Sequence, residues 1–124
     1  MDVTPLIPAD RQVIDAYGPG TFRVSGILYE GPMLVFPGHA QAWSVTSFAE
    51  LTVESFRPIQ AADPPVEILL LGSGPKMGLL PSRLRQELRA AGIVVDVMQT
   101  GAACRTYNIL LAEARRVAAA LLPV

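Results

Sequence analysis

Val66-Glu-Ile-Leu-Leu-Leu71 and Ile93-Val-Val-Asp-Val-Met98 are two apolar runs with one amphipathic segment between them. Runs of this kind suit strands covered on both faces. Gly72-Ser-Gly-Pro-Lys-Met-Gly78 reads as a loop, and Pro81 fits the first position of a helix. Leu84 and Leu88 then face inward, while Arg83, Arg85, Glu87 and Arg89 face water. Gly92 closes the helix as a left-handed cap. Strand, helix and strand in so short a span imply parallel pairing through a right-handed crossover. That unit makes the chain an α/β protein.

Downstream, Thr100 fits an N-cap. Ala103, Tyr107, Leu110, Ala114, Val117 and Leu121 recur at helical spacing, broadened by Leu111 and Ala118. The spacing predicts one long C-terminal helix from about Ala102 to Leu122, ended by Pro123. Upstream, the pattern changes to short β segments. Gln12–Tyr17, the alternating Thr21–Leu28 and Met33–Phe36 are separated by Gly18-Pro-Gly20 and Glu30-Gly-Pro32, which predicts an antiparallel meander. Ala42–Val45 reads as a further short strand around Trp43, a core plug. Thr52 caps a short helical turn anchored by Leu51 and Phe56. Ala61-Ala-Asp-Pro-Pro65 is a linker too short to separate two domains. Residues 1–12 read as a surface arm and 13–124 as a single α/β domain.

A length of 124 residues suits one domain with one real core. With 51% hydrophobic and 17% charged residues, the composition excludes disorder. A net charge of -1 argues against nucleic acid as a partner. One cysteine forms no internal disulfide, and no Cys/His spacing suggests a metal. His39 sits in an exposed turn. The opening residues lack a basic start followed by an apolar run, so no secretory signal is read there. Nowhere do about 18 apolar residues run together to span a membrane. The expected location is cytoplasmic.

Three constellations can carry chemistry. Gly72, Gly74 and Gly78 follow a buried strand and Asp96 ends the next, as in a dinucleotide fingerprint. The spacing has one extra residue, however, and prolines occupy the place where the fingerprint helix begins. Cys104, near a helix start and beside Arg105, has the setting of an activated thiolate. Against that, no elbow motif or nearby base accompanies it, and Ala102 and Ala103 suit buried packing. Arg105-Thr-Tyr-Asn108 places four polar-capable side chains at the carboxyl ends of parallel strands, the usual ligand crevice of an open sheet. The same cluster can instead pin the helix to the sheet, with Thr106 and Asn108 holding the glycine loop.

Ile14-Asp-Ala-Tyr-Gly-Pro-Gly-Thr-Phe22, Leu34-Val-Phe-Pro37, Trp43, Leu70-Leu-Gly-Ser-Gly74 and Met98-Gln-Thr-Gly-Ala-Ala-Cys-Arg-Thr-Tyr-Asn-Ile-Leu110 occur in this order. Together they resemble a family of small domains of unknown function that includes the mitochondrial respiratory complex I assembly factor numbered third in its series. The resemblance runs from about Val13 to Leu122. It implies a mixed central sheet with helices on one side and an N-terminal antiparallel β portion on the other. It implies a non-enzymatic role with protein partners, either an assembly factor or respiratory complex subunits, and at most peripheral membrane association. It supplies no catalytic residue and no cofactor.

The expected function is therefore a protein-interaction factor assisting biogenesis of a complex I-like assembly. The rival is a domain, or small enzyme, binding a small molecule, nucleotide or anion in a crevice between Gly72–Gly78 and Cys104–Asn108. A homo-oligomer paired through the first-half strands is the third reading. The candidate site is Gly72, Ser73, Gly74, Thr100, Cys104, Arg105, Thr106, Tyr107 and Asn108.

Overall fold

The computed structural model describes residues 10–124. The arm expected over residues 1–12 lies, up to residue 9, outside the described residues. Gln12 is tied down, its N–H donating to the Pro37 carbonyl at 2.9 Å.

Strands β1 (Ile14–Gly18), β2 (Thr21–Val24) and β3 (Ile27–Glu30) form an antiparallel sheet in that order. A second, mixed sheet contains β4 (Met33–Val35), β5 (Ala40–Ala42), β6 (Ile68–Gly72), β7 (Val95–Met98) and β8 (Val117–Leu121), ordered β5-β4-β8-β6-β7. Among the described residues three α-helices accompany them: α1 (Arg57–Gln60), α2 (Ser82–Ala90) and α3 (Thr100–Ala112). As the two apolar runs predict, β6 and β7 pair in parallel on either side of α2 in the chain, with Leu70 opposite Asp96.

The two faces of the large sheet are covered differently. Leu69, Leu71, Ala118 and Ala120 face a core made with Leu84 and Leu88 of α2 and with Trp43, Phe56 and Ile59. Leu70, Val117, Ala119 and Leu121 face Ala103, Cys104, Tyr107 and Leu111 of α3 together with Ile14, Phe22 and Val24 of the small sheet. Helices on one side thus describes α1 and α2, whereas α3 shares the opposite face with the antiparallel portion. Trp43 is a core plug as expected, 5% exposed, edge-on to Phe56, with its indole N–H donating to the Ser55 carbonyl at 2.8 Å.

The strand expected over Ala42–Val45 is Ala40–Ala42 and ends before Trp43, and Pro81 is the N-cap of α2, one residue ahead of its first turn. Two larger elements also depart from the sequence reading. Thr21–Leu28 is not one strand but a hairpin, because Ser25 (φ 48°) and Gly26 (φ 82°) form a two-residue turn of positive φ between Val24 and Ile27. Such turns match the twist of paired strands. Met33–Val35 then leaves for the large sheet and pairs with β5 and β8. Alternation alone continues straight through the turn and cannot reveal it.

The second departure is the helix, which ends at Ala112 rather than Leu122. Ala114 takes the left-handed conformation (φ 59°) just past its end. The Ala114 N–H then bonds the Leu111 carbonyl and the Arg115 N–H bonds the Leu110 carbonyl, both at 3.0 Å. That is the bonding of a glycine-type C-terminal cap made without glycine. The chain turns back as β8, whose Ala118, Ala119 and Ala120 have no exposed surface between β4 and β6. Alanine favours helix intrinsically, but a central slot in a sheet overrides that preference. A left-handed alanine costs about 1 kcal/mol that glycine does not. Ala114→Gly should therefore raise stability by about 1 kcal/mol in urea denaturation; a loss of stability would contradict the assigned cap.

Candidate functional site

The start of α3 is assembled around Thr100. Gln99 is the N-cap, its side-chain oxygen accepting from the Ala102 N–H at 3.2 Å. Thr100 is the first helical residue instead of the cap, and it is fully buried. Its hydroxyl accepts from the Gly74 N–H at 2.7 Å and donates to the Leu122 carbonyl at 2.7 Å. One side chain therefore joins the loop after β6, the head of α3 and the end of β8.

The glycines serve this junction. A Cβ on Gly72 would stand 2.9 Å from the Thr100 hydroxyl and 3.1 Å from its Cα, and one on Gly78 would stand 2.8 Å from the Phe48 ring. Ser73 closes the loop on itself, its hydroxyl accepting from the Gly78 N–H at 3.0 Å and lying 2.6 Å from the Lys76 carbonyl. The N–H groups of Ser73, Gly74 and Gly78, which could otherwise cradle a phosphate, are thus engaged within the protein.

Cys104 is buried, with 4% of its surface exposed. Burial pushes its thiol up to about 12, with Arg105 opposing that shift. At pH 8 about one molecule in ten thousand then carries the thiolate, the reactive form. Iodoacetamide should label Cys104 in urea but not in the folded protein at pH 8. Native labelling at the rate of a free cysteine would contradict its packing.

Tyr107 has no exposed surface, and its hydroxyl donates to the Gln12 carbonyl at 2.9 Å. Asn108 matches the backbone of Ile14 on both sides, accepting its N–H at 3.0 Å and donating to its carbonyl at 2.8 Å. This pair pins β1 to α3. The loop that Thr106 and Asn108 were expected to hold is held by Thr100. Arg105 is exposed and Thr106 half-buried.

Cys104, Arg105 and Asn108 line a shallow groove of about 320 Å³ whose other wall is Ile14–Tyr17. No residue of Gly72–Gly78 lines it. The candidate residues therefore fall into two settings: Gly72, Ser73 and Gly74 belong to the Thr100 junction, and Cys104–Asn108 face β1. Tyr17 links them in space, because a Cβ on Gly101 would run into its hydroxyl and lie 2.8 Å from its Cζ. Loop and turn thus meet at the first two residues of α3.

Large apolar side chains are exposed here beside the charged Asp15, Lys76 and Arg105. Tyr17 is 38% exposed, Ile109 60%, and Met77 and Leu79 on the loop 63% and 87%. Ile109 lies one turn beyond Arg105 on the same helix face. Leu79 and Ile109 escape a reading of the sequence, because single apolar residues beside buried ones carry no local mark of exposure. Among the described residues, no group of three or more His, Cys, Asp or Glu side chains is placed to hold a metal.

Residues 14–122 match the family described as protein of unknown function (DUF498/DUF598). The chain is 41% identical over 111 residues to an uncharacterised protein of Rhodobacter capsulatus, covering 90% of this chain and 84% of that protein. It is 38% identical to the NADH dehydrogenase [ubiquinone] 1 alpha subcomplex assembly factor 3 of Danio rerio, covering 90% of this chain. The match spans 64% of that relative's length, less than two thirds. Among solved structures, a Bordetella parapertussis protein superposes with a TM-score of 0.83 at 36% identity, covering 92% of this chain and 97% of that one.

Proposed function

We propose a function from the premise that the chain belongs to the DUF498/DUF598 family: it is a non-enzymatic assembly factor that binds protein partners. Its client is a membrane-associated respiratory complex of the NADH:ubiquinone oxidoreductase type, and it acts from the cytoplasm. The partners are subunits of that complex or a second assembly factor. Among the described residues no helix is long and apolar enough to cross a membrane, and any contact with lipid is peripheral in this reading.

The observation that carries the proposal is how the α3 corner divides its side chains. Thr100, Tyr107 and Asn108 turn their polar groups onto the protein's own backbone. Tyr17, Met77, Leu79 and Ile109 are left to solvent, as is Arg105. Apolar and aromatic side chains with arginine are what protein interfaces enrich. The names of the assembly-factor relatives supply the client class.

Affinity capture of a tagged chain from its own cells, read by mass spectrometry, tests the proposal. Subunits or assembly partners of the respiratory complex should be recovered with wild type and lost with a Met77→Ser, Leu79→Ser, Ile109→Ser variant that still folds. Equal recovery with the variant, or no respiratory protein with wild type, would sink it.

A further inference from the structure

A second and larger cavity, about 570 Å³, lies at the opposite pole of the parallel strands, where β6 and β8 begin. No residue of the α3 corner just described takes part in it. Its walls come from the β4–β5 turn, the linker after α1, and the turn from α3 into β8. The volume lies in the range of small-molecule sites.

The lining has two chemistries. Phe36 and Leu111, each 5% exposed, supply an apolar floor backed by Val117, which has no exposed surface. Arg11, Arg115 and Arg116 stand at the wall. Arg115 is engaged by Glu67, Nε to Oε1 at 3.1 Å. The Glu67 carboxyl also accepts the backbone N–H of Arg116 at 3.0 Å. That bond first, and Arg115 second, hold it below the ordinary carboxylate range. Arg116 donates Nε to the Pro65 carbonyl at 2.9 Å, which fixes the fork and leaves its terminal nitrogens without an acceptor among the described residues. The Arg11 guanidinium likewise has no acceptor among them. These two cations outnumber Asp63, the remaining carboxylate on the wall.

An apolar floor beneath the Arg11 guanidinium and the terminal nitrogens of Arg116 fits a molecule with a hydrocarbon body and one anionic end, since arginine forks match carboxylates. We propose that this cavity binds a medium-chain carboxylate, its chain on Phe36 and Leu111 and its head group between Arg11 and Arg116.

The test is titration of the full, ¹⁵N-labelled chain with sodium decanoate below its micelle concentration, followed by amide shifts. Decanol and inorganic phosphate serve as probes of each half of the ligand. Decanoate should saturate with shifts confined to residues 36–41, 61–66 and 111–117. Decanol should bind about tenfold more weakly, the loss of one charge-assisted contact, and phosphate should not saturate. Arg11→Gln and Arg116→Gln should each weaken decanoate about tenfold and leave decanol unchanged. Equal binding of decanol and decanoate would overturn the proposal. So would saturation by phosphate alone, absence of saturable shifts, or shifts only at exposed apolar residues such as Leu28 and Leu79. The wild-type comparison of decanoate with decanol decides the matter even if a variant fails to fold.

Discussion

Thr100→Val should destabilise the protein by about 2–6 kcal/mol, although valine has nearly the same shape. Thr100 is completely buried, and its hydroxyl satisfies the Gly74 N–H and the Leu122 carbonyl, each at 2.7 Å. Valine keeps the packing and leaves both backbone groups buried without a partner. Each orphaned group costs about 1–3 kcal/mol. The loss also falls where three segments meet, so the loop Gly72–Gly78 and the end of β8 should become exchange-labile together. Thr100→Ser is the control, keeping both bonds and losing only a methyl group, for about 1 kcal/mol. Urea denaturation of the three proteins measures the difference. If serine proved as damaging as valine, the junction would depend on packing and not on the hydroxyl.

Tyr107→Ala should cost about 3–5 kcal/mol, the usual range for removing a fully buried aromatic ring. Tyr107→Phe should cost about 1 kcal/mol, because only the bond to the Gln12 carbonyl is lost. The two variants separate the ring, which fills the core under α3, from the hydroxyl, which holds the chain entering β1. Hydrogen exchange at Val13 and Ile14 should rise in the phenylalanine variant, while the α2 side of the sheet stays protected. The alkaline limb of stability gives a further readout. Burial raises the Tyr107 phenol above its ordinary 10.0, with Arg11 opposing, and burial raises the Cys104 thiol from 9.0 to about 12. Both groups are therefore easier to ionise in the unfolded chain. Their contribution is fully present below pH 9 and is lost as pH rises through 9–12 and beyond. Tyr107→Phe should flatten that decline above pH 10, leaving the Cys104 share. An unchanged slope would place the Tyr107 phenol in water.

Much of this fold is legible in the sequence because its signals are local. The apolar runs of β6 and β7, the Leu84–Leu88 spacing of α2 and the cap at Gly92 each sit within a few residues of what they determine. The hairpin at Ser25-Gly26 was hidden because only Gly26 marks it and the alternation of Thr21–Leu28 runs on unbroken. The end of α3 was hidden because an alanine takes the left-handed position that glycine normally announces. Beyond it, Val117–Leu121 has helical composition and becomes a strand only because β4 and β6 flank it.

The candidate site shows the same divide. The Cys104–Asn108 segment stands out in sequence, but its partners lie far away in the chain: Tyr107 reaches Gln12 and Asn108 reaches Ile14. No local pattern records such pairings, so a crevice with Gly72–Gly78 was expected where β1 supplies the wall. The larger cavity draws on residues from Arg11 to Val117 in separate segments, and no single stretch hints at it.

Assembled NADH:ubiquinone oxidoreductase, quantified on native gels from cells lacking the gene for this chain, bears most directly on the proposed role. Deletion should deplete the assembled complex. The wild-type chain should restore it, whereas the folded Met77→Ser, Leu79→Ser, Ile109→Ser variant should not. A normal level of the complex in the deletion strain would contradict the assembly role.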